Sequence, residues 1–186
     1  MRNRLPDSGQ PDLPWSWLPW SRRLVLLTLV VPWLVGCSAT SSGGPPSELK
    51  MFLGWQRFEV LLEADRVESY RLGEEDHPEG IGGRRVLSRG PNLTAGQVAA
   101  LEALLIDPDS YVFSSVKRCD PTPQVALRHV RGDETVDVIL CFDCDIWEFD
   151  FQGRASIEDF DPVRPQLVEL VKALFPQEPA VQKLQP

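Results

Sequence analysis

The sequence predicts an α+β domain in which a small antiparallel sheet is packed by two amphipathic helices. Apolar and polar residues alternate through three consecutive segments between 124 and 151, which is the period of half-buried strands. Two other segments, about 94–106 and 162–175, carry apolar residues at the three- and four-residue spacings of a helix with one buried face. Segregated antiparallel strands with helices to cover them are typical of this fold class.

The first strands are predicted upstream of this sheet. Residues 73–83 contain glycines, a proline and several acidic residues, a composition that opposes helix and central strand, and we expect a solvated loop there. Residues 85–89 are predicted as a short strand. Two alternations between positions 55 and 72 predict one or two further strands, and their apolar members are Phe58, Val60, Leu62, Val67 and Tyr70.

The first helix has a clear start and a clear end. Thr94 offers an N-cap hydroxyl and Gln97 stands at the matching third position of a capping box. Asp107-Pro108 prevents the helix from continuing. Its predicted buried face consists of Val98, Leu101, Leu104 and Leu105.

The central segment is predicted as a three-stranded meander. The alternation over 125–130 resumes over 136–142 after a turn at Arg131-Gly132-Asp133-Glu134, which indicates a β-hairpin. A third strand is expected over 146–151, with Trp147, Phe149 and Phe151 on one face and Glu148 and Asp150 on the other.

The second helix is expected to begin near Asp161-Pro162 and to end before Pro176. Beyond it, residues 177–186 are predicted to be a disordered tail. The globular domain is therefore expected to span 52–176. The apolar stripe of this helix is Leu167, Leu170, Val171 and Leu174.

The N-terminal segment has the organisation of an export signal. Ser21-Arg22-Arg23 precedes a 13-residue, mainly apolar run from Leu24 to Gly36. A spanning helix needs roughly 20 apolar residues. The run is shorter than that and contains Pro32, so a signal peptide over 1–36 is favoured over a permanent transmembrane anchor.

The run ends in Leu34-Val35-Gly36-Cys37, which resembles the lipobox of bacterial lipoproteins. The resemblance implies that the Cys37 thiol carries diacylglycerol, that cleavage makes this cysteine the new N-terminus, and that acyl chains such as palmitate anchor the protein. Ser38, rather than Asp, implies the outer membrane if the host is Gram-negative. Residues 1–20 are longer and richer in proline than the family's usual leader, which implies a start codon further in.

Residues 38–47 are small, polar and rich in glycine and proline, and they predict a flexible tether over 37–51. The leader holds four arginines and two aspartates of the chain's 19 basic and 27 acidic residues, which leaves 15 basic and 25 acidic residues beyond it. This charge of about −10 disfavours nucleic acid as a partner. Membrane contact is expected through the lipid on Cys37, and an envelope protein is the other expected partner.

Three cysteines fall in the domain. Export would place Cys119, Cys141 and Cys144 in an oxidising compartment, and the favoured interpretation is a structural disulfide from Cys119 to one member of the C-x-x-C pair. If the partner is Cys144, Cys141→Ser should be tolerated. The alternative is a thiol-redox or metal-handling role for all three thiols. Asp143 and Asp145 argue against redox chemistry, because neighbouring carboxylates raise the pKa of a thiol. The three thiols argue against a structural zinc centre, because such a centre needs four ligands.

The remaining polar residues indicate no enzyme. His77 and His129 are interpreted as structural, and the acid pairs Asp143 with Asp145 and Glu148 with Asp150 as a solvated outer strand face. A nucleophile elbow and a phosphate-binding loop are both missing from the sequence, so no catalytic residue and no cofactor is expected.

One more resemblance concerns the domain. The arrangement of Cys119, Cys141-Phe142-x-Cys144 and Phe175-Pro176 resembles that of some uncharacterised exported bacterial proteins, which implies no activity. The sequence thus predicts a lipid-anchored cell-envelope protein with a non-enzymatic binding or structural domain.

Overall fold

The structure, a computed structural model, describes residues 47–114 and 117–186. The described strands form one antiparallel sheet of six strands in the order β2-β1-β3-β4-β5-β6, which confirms the α+β fold class. The predicted signal peptide, Cys37 and most of the predicted tether lie outside the described residues. The strands are β1 (Arg66–Ile81), β2 (Arg84–Arg89), β3 (Val125–Arg131), β4 (Glu134–Cys141), β5 (Ile146–Phe151) and β6 (Arg154–Asp159).

The helices cover one face of this sheet, where they form the main core with its inward side chains. Trp147 and Phe149 of β5 are fully buried there, and the ring of Tyr111 lies 4.6 Å from that of Trp147. No helix in the described ranges is long and apolar enough to cross a bilayer. The helices are α1 (Ser47–Leu53), α2 (Trp55–Leu62), α3 (Ala95–Ile106), α4 (Arg164–Leu174) and α5 (Pro179–Gln182).

The predicted three-stranded meander of β3, β4 and β5 is confirmed, and a fourth strand, β6, extends it. In the β3–β4 hairpin Leu127 pairs with Val138, and β5 continues antiparallel to β4. The added strand, β6, was not predicted because its only large apolar side chain, Ile157, is 50% exposed, so the strand carries no buried alternation. Gln152 and Gly153 both have positive φ, 55° and 74°, as a tight hairpin turn between β5 and β6 requires.

The strand predicted from Phe58, Val60 and Leu62 is wrong, because this segment forms α2. Phe58 and Leu61 are both buried and lie three residues apart, which is a helical spacing. The segment therefore fits a helical pattern as well as the alternation of Phe58, Val60 and Leu62. Arg57 joins the helix to the sheet, since its Nη1 donates to Ser156 Oγ at 2.6 Å.

The solvated loop predicted over 73–83 is also wrong, since β1 continues to Ile81 and pairs with β2 through several register shifts. Backbone pairing in a two-stranded ribbon needs no buried side chain, and residues 74–79 are indeed exposed. The tip of the ribbon turns back onto the outer face of the sheet, where Ile81 packs with Leu72, Ala126 and Ile139. Glycine is required at Gly82 (φ 57°), because a Cβ there would lie 2.2 Å from Cδ1 of Ile139.

Both predicted helices are confirmed. Thr94 and Gln97 form the expected capping box, in which the Thr94 amide donates to Gln97 Oε1 at 2.9 Å. α4 starts after a 3₁₀ turn at Asp161–Val163 and buries Leu167, Val168, Val171 and Leu174.

Removing the cap of α3 should weaken the fold measurably. Thr94→Ala loses the hydroxyl that accepts from the Gln97 amide, and we expect a loss of about 1 kcal/mol in the free energy of unfolding. Denaturant titration measures it, with the exposed Ser114→Ala as the matched control. Equal midpoints for the two variants would show that the cap does not stabilise the domain.

The ordered chain extends beyond both predicted limits of 52 and 176. α1 begins at Ser47, inside the segment predicted as tether, and Leu49 within it is fully buried. The prediction of a disordered tail over 177–186 is corrected, because α5 forms there and Val181 is only 1% exposed. Gln182 Nε2 donates to the carbonyls of Lys172 and Phe175 at 3.0 and 3.1 Å, which attaches the tail to the end of α4.

Candidate functional site

The structure joins Cys119 to Cys144 in a disulfide with a Cα–Cα distance of 5.9 Å, one of the two pairings that the sequence left open. The bridge ties the irregular segment before β3 to the turn between β4 and β5. Cys141 keeps a free thiol that is 2% exposed and packs with Cys144 and Ile146. Two of the three domain cysteines therefore form a disulfide that is exposed at Cys119, and the third, Cys141, keeps a buried free thiol.

Ion pairs hold both ends of the bridge against the start of α4. Lys117 Nζ donates to the carbonyl of Cys144 at 2.8 Å and pairs with Asp161 at 2.6 Å. Arg164 pairs with Asp145 and donates through Nη1 to the carbonyl of Phe142 at 2.8 Å. Lys117 and Arg164 are each matched by a carboxylate, so neither of them is an unpaired positive charge that would stabilise a thiolate at the bridge.

This arrangement bears on the alternative roles of the cysteines. Cys141 and Cys144 do not pair with each other, so the C-x-x-C is not a dithiol couple in this structure. The bridge also occupies two of the three thiolates that a metal site would use. Within the described ranges no group of three His, Cys, Asp or Glu side chains is arranged to hold a metal ion.

The histidines lie in contrasting places. His129 is fully buried on the core face of β3, where it pairs in register with Val67 and Val136. Neither ring nitrogen makes a hydrogen bond of normal geometry. Burial lowers the pKa of His129 to about 4, and the backbone of Leu127 opposes the shift only in part. His77 stands in the exposed ribbon of β1, where its amide donates to the carbonyl of Gly83 at 2.7 Å.

The acid pairs are not a uniformly solvated face. Asp143 is exposed, but Asp145 is engaged by Arg164. Glu148 and Asp150 lie on the outer face of β5 and are both half-buried. The tip of the β1–β2 ribbon covers part of Glu148, since Gly82 lies beside it. Burial, with a smaller contribution from Asp150, raises the pKa of the Glu148 carboxyl.

Sequence reasoning missed a cavity of about 430 Å³ between the middle of β1, the segment before β3 and α5. Arg71, only 8% exposed, lies on its wall. One signal was present in the sequence: Arg71 shares its strand parity with Val67 and Ser69, and therefore the core-facing side of β1.

Comparisons with known proteins assign no family. No protein-family description, no curated protein and no solved structure matches the chain.

Proposed function

We propose that this protein is a lipoprotein of the bacterial cell envelope, anchored through diacylglycerol on Cys37, and that its α+β domain binds a partner without catalysing a reaction. The observation that carries the proposal is the position of Cys37, directly after a small residue at the end of a 13-residue apolar run with Arg22 and Arg23 in front. Two acyl chains on one thiol would anchor the domain stably, whereas a single chain binds only marginally.

The cysteine pattern of the domain supports export. Disulfides persist in oxidising compartments and are rare in the cytosol, and Cys119 with Cys144 forms one. The third domain cysteine, Cys141, is buried and offers no accessible thiol. Cys37 is thus the cysteine left for acylation.

The same geometry favours binding over catalysis. The low pKa of His129 belongs to a ring sealed in the apolar core, where it cannot reach a substrate. Asp145 and Asp161 neutralise Arg164 and Lys117 beside the bridge, so these carboxylates have a structural role. A thiol-redox or metal role for Cys119, Cys141 and Cys144 would require this bridge to open.

Replacing one cysteine tests the anchor. In the full chain expressed in a Gram-negative host, we expect Cys37→Ala to abolish incorporation of a clickable palmitate analogue and to remove the protein from the outer-membrane fraction. Cys141→Ala is the matched control, since it also removes one free thiol, and it should label and fractionate like the native chain. Undiminished labelling of Cys37→Ala, or an unlabelled native chain, would refute the proposed anchor.

A further inference from the structure

The cavity beside β1 has the size and lining of a small-ligand site. Its volume of about 430 Å³ lies in the range of roughly 300–1,000 Å³ that such sites occupy. Its wall combines apolar side chains with five polar or charged ones, which are Arg71, Glu74, Glu75, Thr122 and Gln124. The apolar side chains on this wall are Leu72, Leu87, Pro123, Ala180, Val181 and Leu184.

Arg71 is the exceptional group on this wall. In the described part of the chain its guanidinium makes one hydrogen bond, from Nη1 to the carbonyl of Gln124. Its Nε is shielded from solvent and has no hydrogen-bond partner. None of the ion pairs among the described residues includes it. A guanidinium carries five N–H donors, so most of this one's capacity is unused.

A buried cation without a counter-charge is costly, and buried arginines are normally paired. Burial lowers the pKa of Arg71, and the charge of Glu178, just before α5, opposes this shift only in part. The side chain nevertheless stays charged, because an arginine is not deprotonated in proteins. The free protein thus keeps a positive charge that an anion in the cavity would neutralise.

We propose that this cavity binds an aliphatic monocarboxylate. The carboxylate accepts hydrogen bonds from the Arg71 guanidinium, a pairing whose planar geometries match. The alkyl chain lies along Leu87, Val181 and Leu184. This inference goes beyond the proposed envelope role and does not depend on acylation of Cys37.

The surroundings favour a single negative charge. Glu74 and Glu75 also line the cavity, and a phosphate dianion would meet their carboxylates. The Glu75 carboxylate is compensated by Arg85 at 2.9 Å, which reduces its repulsion of a monoanion.

Hexanoate and its neutral amide, hexanamide, test the proposal on the full chain in non-ionic detergent by saturation-transfer NMR. We expect hexanoate to bind at least about tenfold more tightly than hexanamide. Binding of hexanamide as tight as that of hexanoate would overturn the role of charge, and this comparison needs no variant. Because neither probe involves Cys37, an unlipidated chain would leave the result interpretable.

Two substitutions locate the site. Arg71→Met keeps the length and apolar stem of the side chain and should weaken hexanoate binding about tenfold or more. Arg154→Met, which removes an exposed arginine of β6 at the opposite edge of the sheet, should leave binding unchanged. We also expect Arg71→Met to fold with an undiminished melting temperature, because replacing a buried unpaired charge by an apolar group is not destabilising. Unchanged hexanoate binding by a folded Arg71→Met would contradict the proposal.

Discussion

Cys119→Ser should lower the free energy of unfolding by about 3 kcal/mol, the value expected when a disulfide that closes a loop of this length is lost. The bridge spans a sequence separation of 25 residues and holds a segment that has neither helix nor strand from Lys117 to Gln124. Cys119 is exposed, so the substitution itself creates no cavity. Denaturant unfolding of the protein purified without reductant measures the loss.

Cys141→Ser is the matched control for this experiment. It leaves the Cys119–Cys144 bridge intact and should cost about 1 kcal/mol, because a hydroxyl replaces a buried thiol. Reductant should then destabilise Cys141→Ser and the native chain equally, and Cys119→Ser little. If Cys141→Ser lost as much stability as Cys119→Ser, Cys141 would be part of the functional bridge and the structural assignment would be wrong.

Acid should destabilise the fold through His129. Its pKa is about 4 in the folded protein, whereas an unfolded histidine titrates near 6.5. Between these values the unfolded chain binds the proton and the folded protein does not, so stability rises with pH in this window. The stabilisation is complete above about pH 6.5 and is lost progressively as the pH falls towards 4. At about 1.4 kcal/mol for each unit of pKa, the total is about 3 kcal/mol.

His129→Leu isolates this contribution, since leucine fits among Val67, Leu127 and Val136 and does not titrate. Unfolding free energies measured at intervals from pH 4 to 7 should show a shallower slope for the variant, while the carboxylates contribute alike to both chains. The same slope in both chains would mean that His129 is solvated or hydrogen-bonded in the folded protein.

The sequence could predict the elements whose signals are local. The capping box at Thr94, the apolar stripe of α4 and the alternation within each of β3, β4 and β5 all lie inside a single helix or strand or at its cap. Elements that depend on distant partners were missed or misassigned. The β1 ribbon is held by pairing with β2, and α5 by a single buried valine and by hydrogen bonds from Gln182.

The candidate sites also divide into features that local sequence signals predict and features that depend on distant partners. The sequence predicted that Cys119 pairs with one member of the C-x-x-C, but which of the two thiols it meets depends on the turn between β4 and β5. Cys141 ends β4 on the outer face beside Ile139, whereas Cys144 lies in the turn that faces the segment carrying Cys119. Arg71 was missed because a charged residue is normally exposed, although it shares its strand parity with Val67 and Ser69 and therefore faces inward.

The most direct test of the account is the intact mass of the protein purified from its own membranes without reductant, before and after alkylation under denaturing conditions. We expect a chain that begins at Cys37 and carries acyl groups, with a single thiol, that of Cys141, open to alkylation. A chain without acyl groups would contradict the lipid anchor. Three alkylated thiols would contradict the structural disulfide and would favour the redox or metal role of the domain cysteines.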